Sequence, residues 1–352
     1  MLKKSGDGLP HCGRLCFSLY IPVMKILLNT LFRSKKIQLL FVNPFVCYAF
    51  VEFTRRWVDF LKTKERYLLY EIFAHAKINL TLDITGLRSD GYHEVEMIMQ
   101  TVGLSDRLAF EPHHKGIIIT CDTPELPVGQ ENLIYRAALL LQEYTGQVKG
   151  AIIHLKKNIP LAAGLAGGSA DAAAALKGLN NLWGLNLHFS ELLSLGERIG
   201  ADVPFCLTGG TALARGKGEI LLPLKPLPRF GVIMVKPPFG VSTGRIYQQY
   251  DLTGGGVRPD TKGMLEAIED ENLLRIGSLL SNVLEETTAY LYPQIGFLKQ
   301  VLIREGAVGA AMSGSGPTFF GLCEDEVKAD FIARNLILPP GWLKIVTSVE
   351  NG

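Results

Sequence analysis

The sequence predicts a compact protein that mixes helices with strands and divides into two domains. Three observations carry this. The chain has 352 residues, 47% hydrophobic and 20% charged, a balance that suits a folded protein longer than one ordinary domain. From Glu71 onward, strand-like and helix-like segments alternate, with Gly or Pro at nearly every junction. A second series of strands and helices opens with VIMVKPPFG at Val232, which sets the boundary near Phe230 and gives domains of 71–230 and 231–352.

The elements follow in order. EIFAHAKINLTLDITG alternates apolar and polar residues between Ile78 and Ile84, as a half-buried strand does, and Gly86 closes it. Residues 116–121 and 151–156 read as further strands. Helical periodicity marks 132–144, 170–183, 190–199, 271–290 and 293–304. GAVGAAMSGSGPTFFGL (306–322) sets Ser313, Gly314, Ser315 and Gly316 between two strand-like segments, as a hairpin turn would. A helix from Asp325 and a strand near Ile345 end the series.

Residues 1–70 have another texture. Residues 1–62 hold ten Lys or Arg against three acids, and IQLLFVNPFVCYAFVEF (37–53) is apolar but interrupted by Asn43, Pro44 and Glu52. Neither a spanning helix nor a secretory signal fits this pattern. The segment is expected to be appended to the two-domain fold, and any membrane contact is expected only through it. A plastid-directed leader also suits a basic, acid-poor start.

Charge and cysteines exclude whole classes of function. A net charge of +2, part of it in the first segment, leaves no basic stripe for nucleic acid. Six cysteines (Cys12, Cys16, Cys47, Cys121, Cys206, Cys323) lack paired spacing, so neither a disulfide framework nor a zinc ribbon is indicated, and the compartment reads as reducing.

PLAAGLAGGSADAAAAL (160–176) admits two readings. Its alanines suit a helix packed tightly in a core. Its glycines fall where AIIHLKKNIP, a strand with a proline break, passes into a helix from Ala170. There the first-turn amides are unpaired, and the helix dipole favours an anion. Gly164, Gly167 and Gly168 would let those amides approach a phosphate, and Ser169 would cap the helix or bond a phosphate oxygen. The Walker pattern is absent, since Gly210 to Lys217 has one intervening residue too many, and so is G-x-G-x-x-G.

Three titratable residues stand out. Asp202, in GADVPF, has apolar neighbours that limit hydration, or else it caps a turn before Pro204. Lys77, on a strand, either faces water at a sheet edge or is held inward against a carboxylate. His93 follows Gly91 and Tyr92 in a turn, where it is solvated or helps Tyr92 pinch a flat ring.

The order AKINLTLDITGLRSDGYHEV, PLAAGLAGGSADAAAAL, GADVPF, AMSGSGPTFF resembles the GHMP kinase superfamily from about Ile72 to the C-terminus. The resemblance implies an α+β, two-domain GHMP kinase fold, with an N-terminal domain like domain 2 of ribosomal protein S5 and a ferredoxin-like C-terminal domain. AKxNL with DGYH implies transfer of phosphate from ATP, with Mg²⁺, to the 2-hydroxyl of a cytidylyl-methylerythritol substrate in isoprenoid biosynthesis. By motif, Asp202 is the base and Lys77 lies beside it, while Asn79 binds near the same hydroxyl. The resemblance likewise implies that Tyr92 and His93 recognise cytosine, that Pro160, Ala162, Ala163, Gly164, Leu165, Ala166, Gly167, Gly168 and Ser169 cradle the ATP phosphates, and that Ser313, Gly314 and Gly316 close the cleft.

The chain departs from that pattern where Ala162, Ala163 and Ala166 replace glycine, which a negative φ would tolerate. Asp171 is not assigned to metal, and no Mg²⁺ ligand is named. The competing readings are a homoserine or mevalonate type of kinase, which DGYH opposes, and a nucleotide-binding module without turnover, which Lys77 and Asp202 oppose. The protein is expected to be cytoplasmic, a monomer or homodimer.

Overall fold

A computed structural model describes residues 70–351. The expectations for the appended segment, including Cys12, Cys16 and Cys47, lie outside the described residues, apart from Tyr70. Strand β1 (Tyr70–Leu87) pairs antiparallel with β2 (His93–His113) through a register running from Tyr70 opposite Phe110 to Leu87 opposite His93. Sequence reading missed β2 because residues 97–102 are buried throughout and show no alternation. The expectation of a half-buried β1 is likewise corrected: residues 76–84 are buried on both faces, including Lys77, Asn79, Thr81 and Asp83.

Next come β3 (Ile117–Cys121), α1 (Leu133–Thr145), β4 (Gly150–Lys156), α2 (Gly167–Leu182), α3 (Phe189–Ile199) and the short α4 (Val203–Thr208). Strands β5 (Thr211–Arg215) and β6 (Ile220–Pro223) follow, with β5 paired to β2. Helix α2 buries Ala170, Ala172 to Ala175 and Leu176. A Cβ on its Gly178 would meet the Phe110 ring at 2.3 Å, so only glycine allows the helix to lie this close to β2. The alanine-rich stretch is therefore core from Ala170 onward.

A second sheet begins with β7 (Gly231–Lys236). Helices α5 (Thr243–Thr253), α6 (Thr261–Glu269) and α7 (Leu273–Leu279) lead to the two-residue strand β8 (Ser281–Asn282), then α8 (Leu284–Leu291) and α9 (Leu298–Arg304). The single helix expected over 271–290 is thus broken in two. Leu280 turns extended, and Ser281 and Asn282 pair in parallel with Thr81 and Leu82 of β1. The helix expected over 293–304 is also split, with a 3₁₀ turn at Pro293–Ile295 before α9.

Strands β9 (Gly309–Met312) and β10 (Phe319–Cys323) flank the expected turn. Helix α10 (Glu326–Asn335) is capped by Asp325, which accepts from the Lys328 amide, and β11 (Leu343–Ser348) closes the chain. The second sheet has the order β11-β7-β10-β9, while the first runs β3-β4-β2-β1-β8 with β5 paired to β2 and β6 to β5. Strand β8 is therefore a contribution of the later sequence to the earlier sheet.

Candidate active site

Residues two apart on a strand share a face, so Lys77 and Asn79 point the same way from β1. Lys77 is 4% exposed and Asn79 is fully buried. Of the two expectations for Lys77, the inward one holds, but its partner is an amide: Nζ donates to Asn79 Oδ1 at 2.7 Å. No ion pair within 4.0 Å joins Lys77 to Asp202 among the described residues. The same Asn79 oxygen accepts the Gly314 amide at 2.9 Å, and Asn79 Nδ2 donates to Met97 Sδ at 3.2 Å.

The glycine loop meets this face directly. The Lys77 amide donates to the Leu165 carbonyl at 3.2 Å, and Ser313 Oγ donates to the Gly164 carbonyl at 2.9 Å. Gly164 has φ +77°, and a Cβ there would stand 2.2 Å from the Ser313 carbonyl oxygen. The turn is held from below by Asn282, whose Nδ2 donates to the carbonyls of Met312 and Gly314, each at 2.8 Å. Thr243 and Thr288 hold Ser315 through its hydroxyl and carbonyl. The structure thus brings together Lys77, Asn79, the loop and the Ser313 to Gly316 turn.

Helix α2 starts at Gly167, three residues earlier than expected, with Ala166 as N-cap and no side-chain cap. Ser169 therefore lies inside the first turn and does not cap it. The amides of Gly167, Gly168 and Ser169 have no intrahelical acceptor, which is a cradle of donors suited to phosphate. Ala162 and Ala166 have φ of 47° and 57°, so the negative φ that would excuse alanine there is not found. Both sit in the left-handed region that glycine adopts more easily. Ala163 is 3% exposed and packs into the core, while Pro160 leads into the loop.

Asp202 is half-buried beside buried Val203 and Phe205, and it makes no cap bond to α4, which sets aside the capping alternative. Cys206, one turn on, has its thiol pKa pushed up by burial and then by the Asp202 charge, with Lys77 opposing. Burial and Asp202 likewise raise the Tyr247 phenol. At the DGYH end the Tyr247 ring lies 4.8 Å from that of His93.

His93 is not solvated: its side chain is 12% exposed, and Nε2 lies 2.7 Å from Asp251 Oδ1. Tyr92 is 60% exposed, with the Lys217 ammonium 5.1 Å from its ring centre. Asn282, Tyr247 and Asp251 escaped sequence reading because each sits in a helical or unassigned stretch. The only signal at Asn282 is the weakly helix-forming run Ser281, Asn282, Val283. No group of three or more His, Cys, Asp or Glu able to hold a metal ion occurs among the described residues.

The family of GHMP kinase N terminal domains matches residues 132–210, and that of GHMP kinase C terminal domains matches 264–338. Both halves of a small-molecule kinase fold of the GHMP type are therefore present in order, as the α+β expectation had it. A 4-diphosphocytidyl-2-C-methyl-D-erythritol kinase of Pelotomaculum thermopropionicum is 50% identical over 261 residues, covering 74% of this chain and 91% of that protein. A crystal structure of 4-(cytidine 5'-diphospho)-2C-methyl-D-erythritol kinase superposes with TM-score 0.69 at 36% identity, covering 80% of this chain and all of that one. Homoserine kinase from Cytophaga hutchinsonii shares the fold, with TM-score 0.63 at 21% identity over 80% of this chain and 94% of its own. The chain belongs to the family of 4-diphosphocytidyl-2-C-methyl-D-erythritol kinases within the GHMP kinases.

Proposed function

We propose that the protein phosphorylates the 2-hydroxyl of 4-diphosphocytidyl-2-C-methyl-D-erythritol with ATP, giving the 2-phosphate and ADP in non-mevalonate isoprenoid precursor biosynthesis. The observation that carries this is the convergence of buried Lys77 and Asn79, the glycine loop and the Ser313 to Gly316 turn in one hydrogen-bonded unit. The 50% identity to a kinase of that name supports the choice of acceptor over homoserine. A small-molecule kinase uses ATP, and the free amides of Gly167, Gly168 and Ser169 suit its phosphates.

In this reading Asp202 accepts the hydroxyl proton as the alcohol oxygen bonds to the γ-phosphorus and the bond to the β-phosphate oxygen breaks. Lys77, fixed by Asn79, offers positive charge to the acceptor and the transferring group. Tyr92 and His93 take the cytosine, the former by stacking and the latter by hydrogen bonding, with Tyr247 packed behind. Mg²⁺ generally binds through phosphates and one or two carboxylates rather than in an all-protein cage, and here it would neutralise charge on the ATP phosphates held at the glycine loop. Residues 71–230 and 231–352 are read as the two domains, and 1–70 as appended. No helix among the described residues is long and apolar enough to cross a membrane, and a cytoplasmic location is part of the same reading.

Purified protein with ATP, Mg²⁺ and the cytidylyl alcohol is expected to release ADP, and with homoserine none. Release with homoserine alone would move the protein to another branch of the family. Silence with both would leave a nucleotide-binding module.

A further inference from the structure

Beneath the glycine loop lies a charged group that the proposed reaction does not use. Lys157, just after β4, is 5% exposed at its side chain and donates to Asp171 Oδ2 of α2 at 2.8 Å and to Asp106 of β2. Asp106 is fully buried and also accepts the amides of Asn158 at 2.6 Å and Ile159 at 2.8 Å, which fixes the chain as it enters the loop. Asp171 Oδ1 is buried with no hydrogen-bond partner. A Cβ built on Gly167 would come within 3.4 Å of Lys157 Nζ, so the cluster adjoins the first turn of α2.

One ammonium serves two carboxylates, so the cluster carries a net charge of −1 unless a proton is present. We infer that Asp171 is a positioning residue for the nucleotide: with Asp106 it seats Lys157 under the first turn of α2, and it takes up a proton when phosphates occupy the glycine loop. This rests on the assignment of that loop to the ATP phosphates.

A proton on Asp171 turns an orphaned acceptor into a donor, and Asp106 is the neighbouring carboxylate, bound to the same ammonium. Burial raises the Asp171 carboxyl to about 7, with the Asp106 charge adding to the rise and Lys157 opposing it. Burial also works against the Lys157 charge, but Asp171 and Asp106 outweigh it and hold that ammonium above its ordinary pKa. The other charged and titratable groups on this side surround Cys206 of α4: Asp202 at the start of that helix, Lys77 of β1 and Lys177 of α2.

The sign follows from the charges. Phosphate oxygens arriving at the Gly167, Gly168 and Ser169 amides add negative charge within a turn of Asp171 and favour its protonated form. Binding therefore consumes protons and is tighter below neutral pH than above it. A rise of half a unit on binding corresponds to about threefold in affinity between the two limits.

Calorimetric titration of the whole protein with ATP and Mg²⁺ at about pH 7.5, in buffers of different ionisation enthalpy, reads the proton count directly. Wild-type protein is expected to take up a fraction of a proton. Asp171→Asn is expected to abolish the part due to this carboxyl, together with the pH dependence of the KM for ATP. Binding without proton uptake in wild type overturns the inference, with no variant needed. Uptake that persists unchanged in Asp171→Asn overturns it as well, by placing the proton elsewhere. No binding of ATP at all overturns the loop assignment itself, and this inference with it.

Discussion

The two ends of the site are held in different ways. At the phosphate end, Gly164, Leu165, Ser313 and Gly314 are tied to each other and to β1 by bonds through buried atoms, and Asn282 fastens the turn from the far side. At the DGYH end, Tyr92 is exposed, and His93 is fixed by one contact to Asp251, itself half exposed at the side chain. The first end is preformed, as suits charge stabilisation of a transferring phosphoryl group. The second, proposed to take the cytosine, is less tightly held, and its contribution should appear in binding more than in chemistry.

Three substitutions break or sharpen this contrast. Asp202→Asn removes the proposed proton acceptor, and kcat is expected to fall by about 10²- to 10⁴-fold, with ATP still bound in an equilibrium assay. Wild-type turnover from this variant would refute the base assignment. Gly164→Ala places a Cβ 2.2 Å from the Ser313 carbonyl oxygen at φ +77°; the left-handed backbone alone costs roughly 1–3 kcal/mol, and the overlap with backbone adds to it by forcing loop and turn apart. Thermal unfolding should shift down and the KM for ATP should rise, whereas an unchanged Tm and KM would show the phosphate end to be pliant.

Asp251→Asn weakens the hold on His93 and is expected to raise the KM for the cytidylyl substrate about 3- to 10-fold, since a charge-assisted bond at a partly exposed site is worth about 1 kcal/mol. In the same kinetics kcat and the KM for ATP should hardly move. A fall in kcat alone would place His93 nearer the chemistry than the base.

Much of the fold was legible because local signals and tertiary contacts agree. The α2 stretch is rich in alanine and buried, and the turn at 313–316 is rich in glycine and flanked by strands. The failures share one physical cause. Strand β2 shows no alternation because both of its faces are covered, and β8 lies inside a helical pattern because two residues pair with β1 at the expense of a continuous helix. At the site, Lys77 and Asp202 could be named from motifs, but their surroundings could not. That Asn79, rather than an acid, holds the lysine depends on strand register, and Asp251 meets His93 across 158 positions of sequence.

Strand β8 has a consequence for any attempt to cut the protein in two. It caps the outer side of β1 with two residues drawn from beyond Phe230, so a fragment ending there would leave unpaired N–H and C=O groups along an apolar strand. Such an edge invites pairing with another copy. A fragment ending at Phe230 is therefore expected to be prone to self-association when expressed alone, although it contains the glycine loop, Lys77 and Asp202.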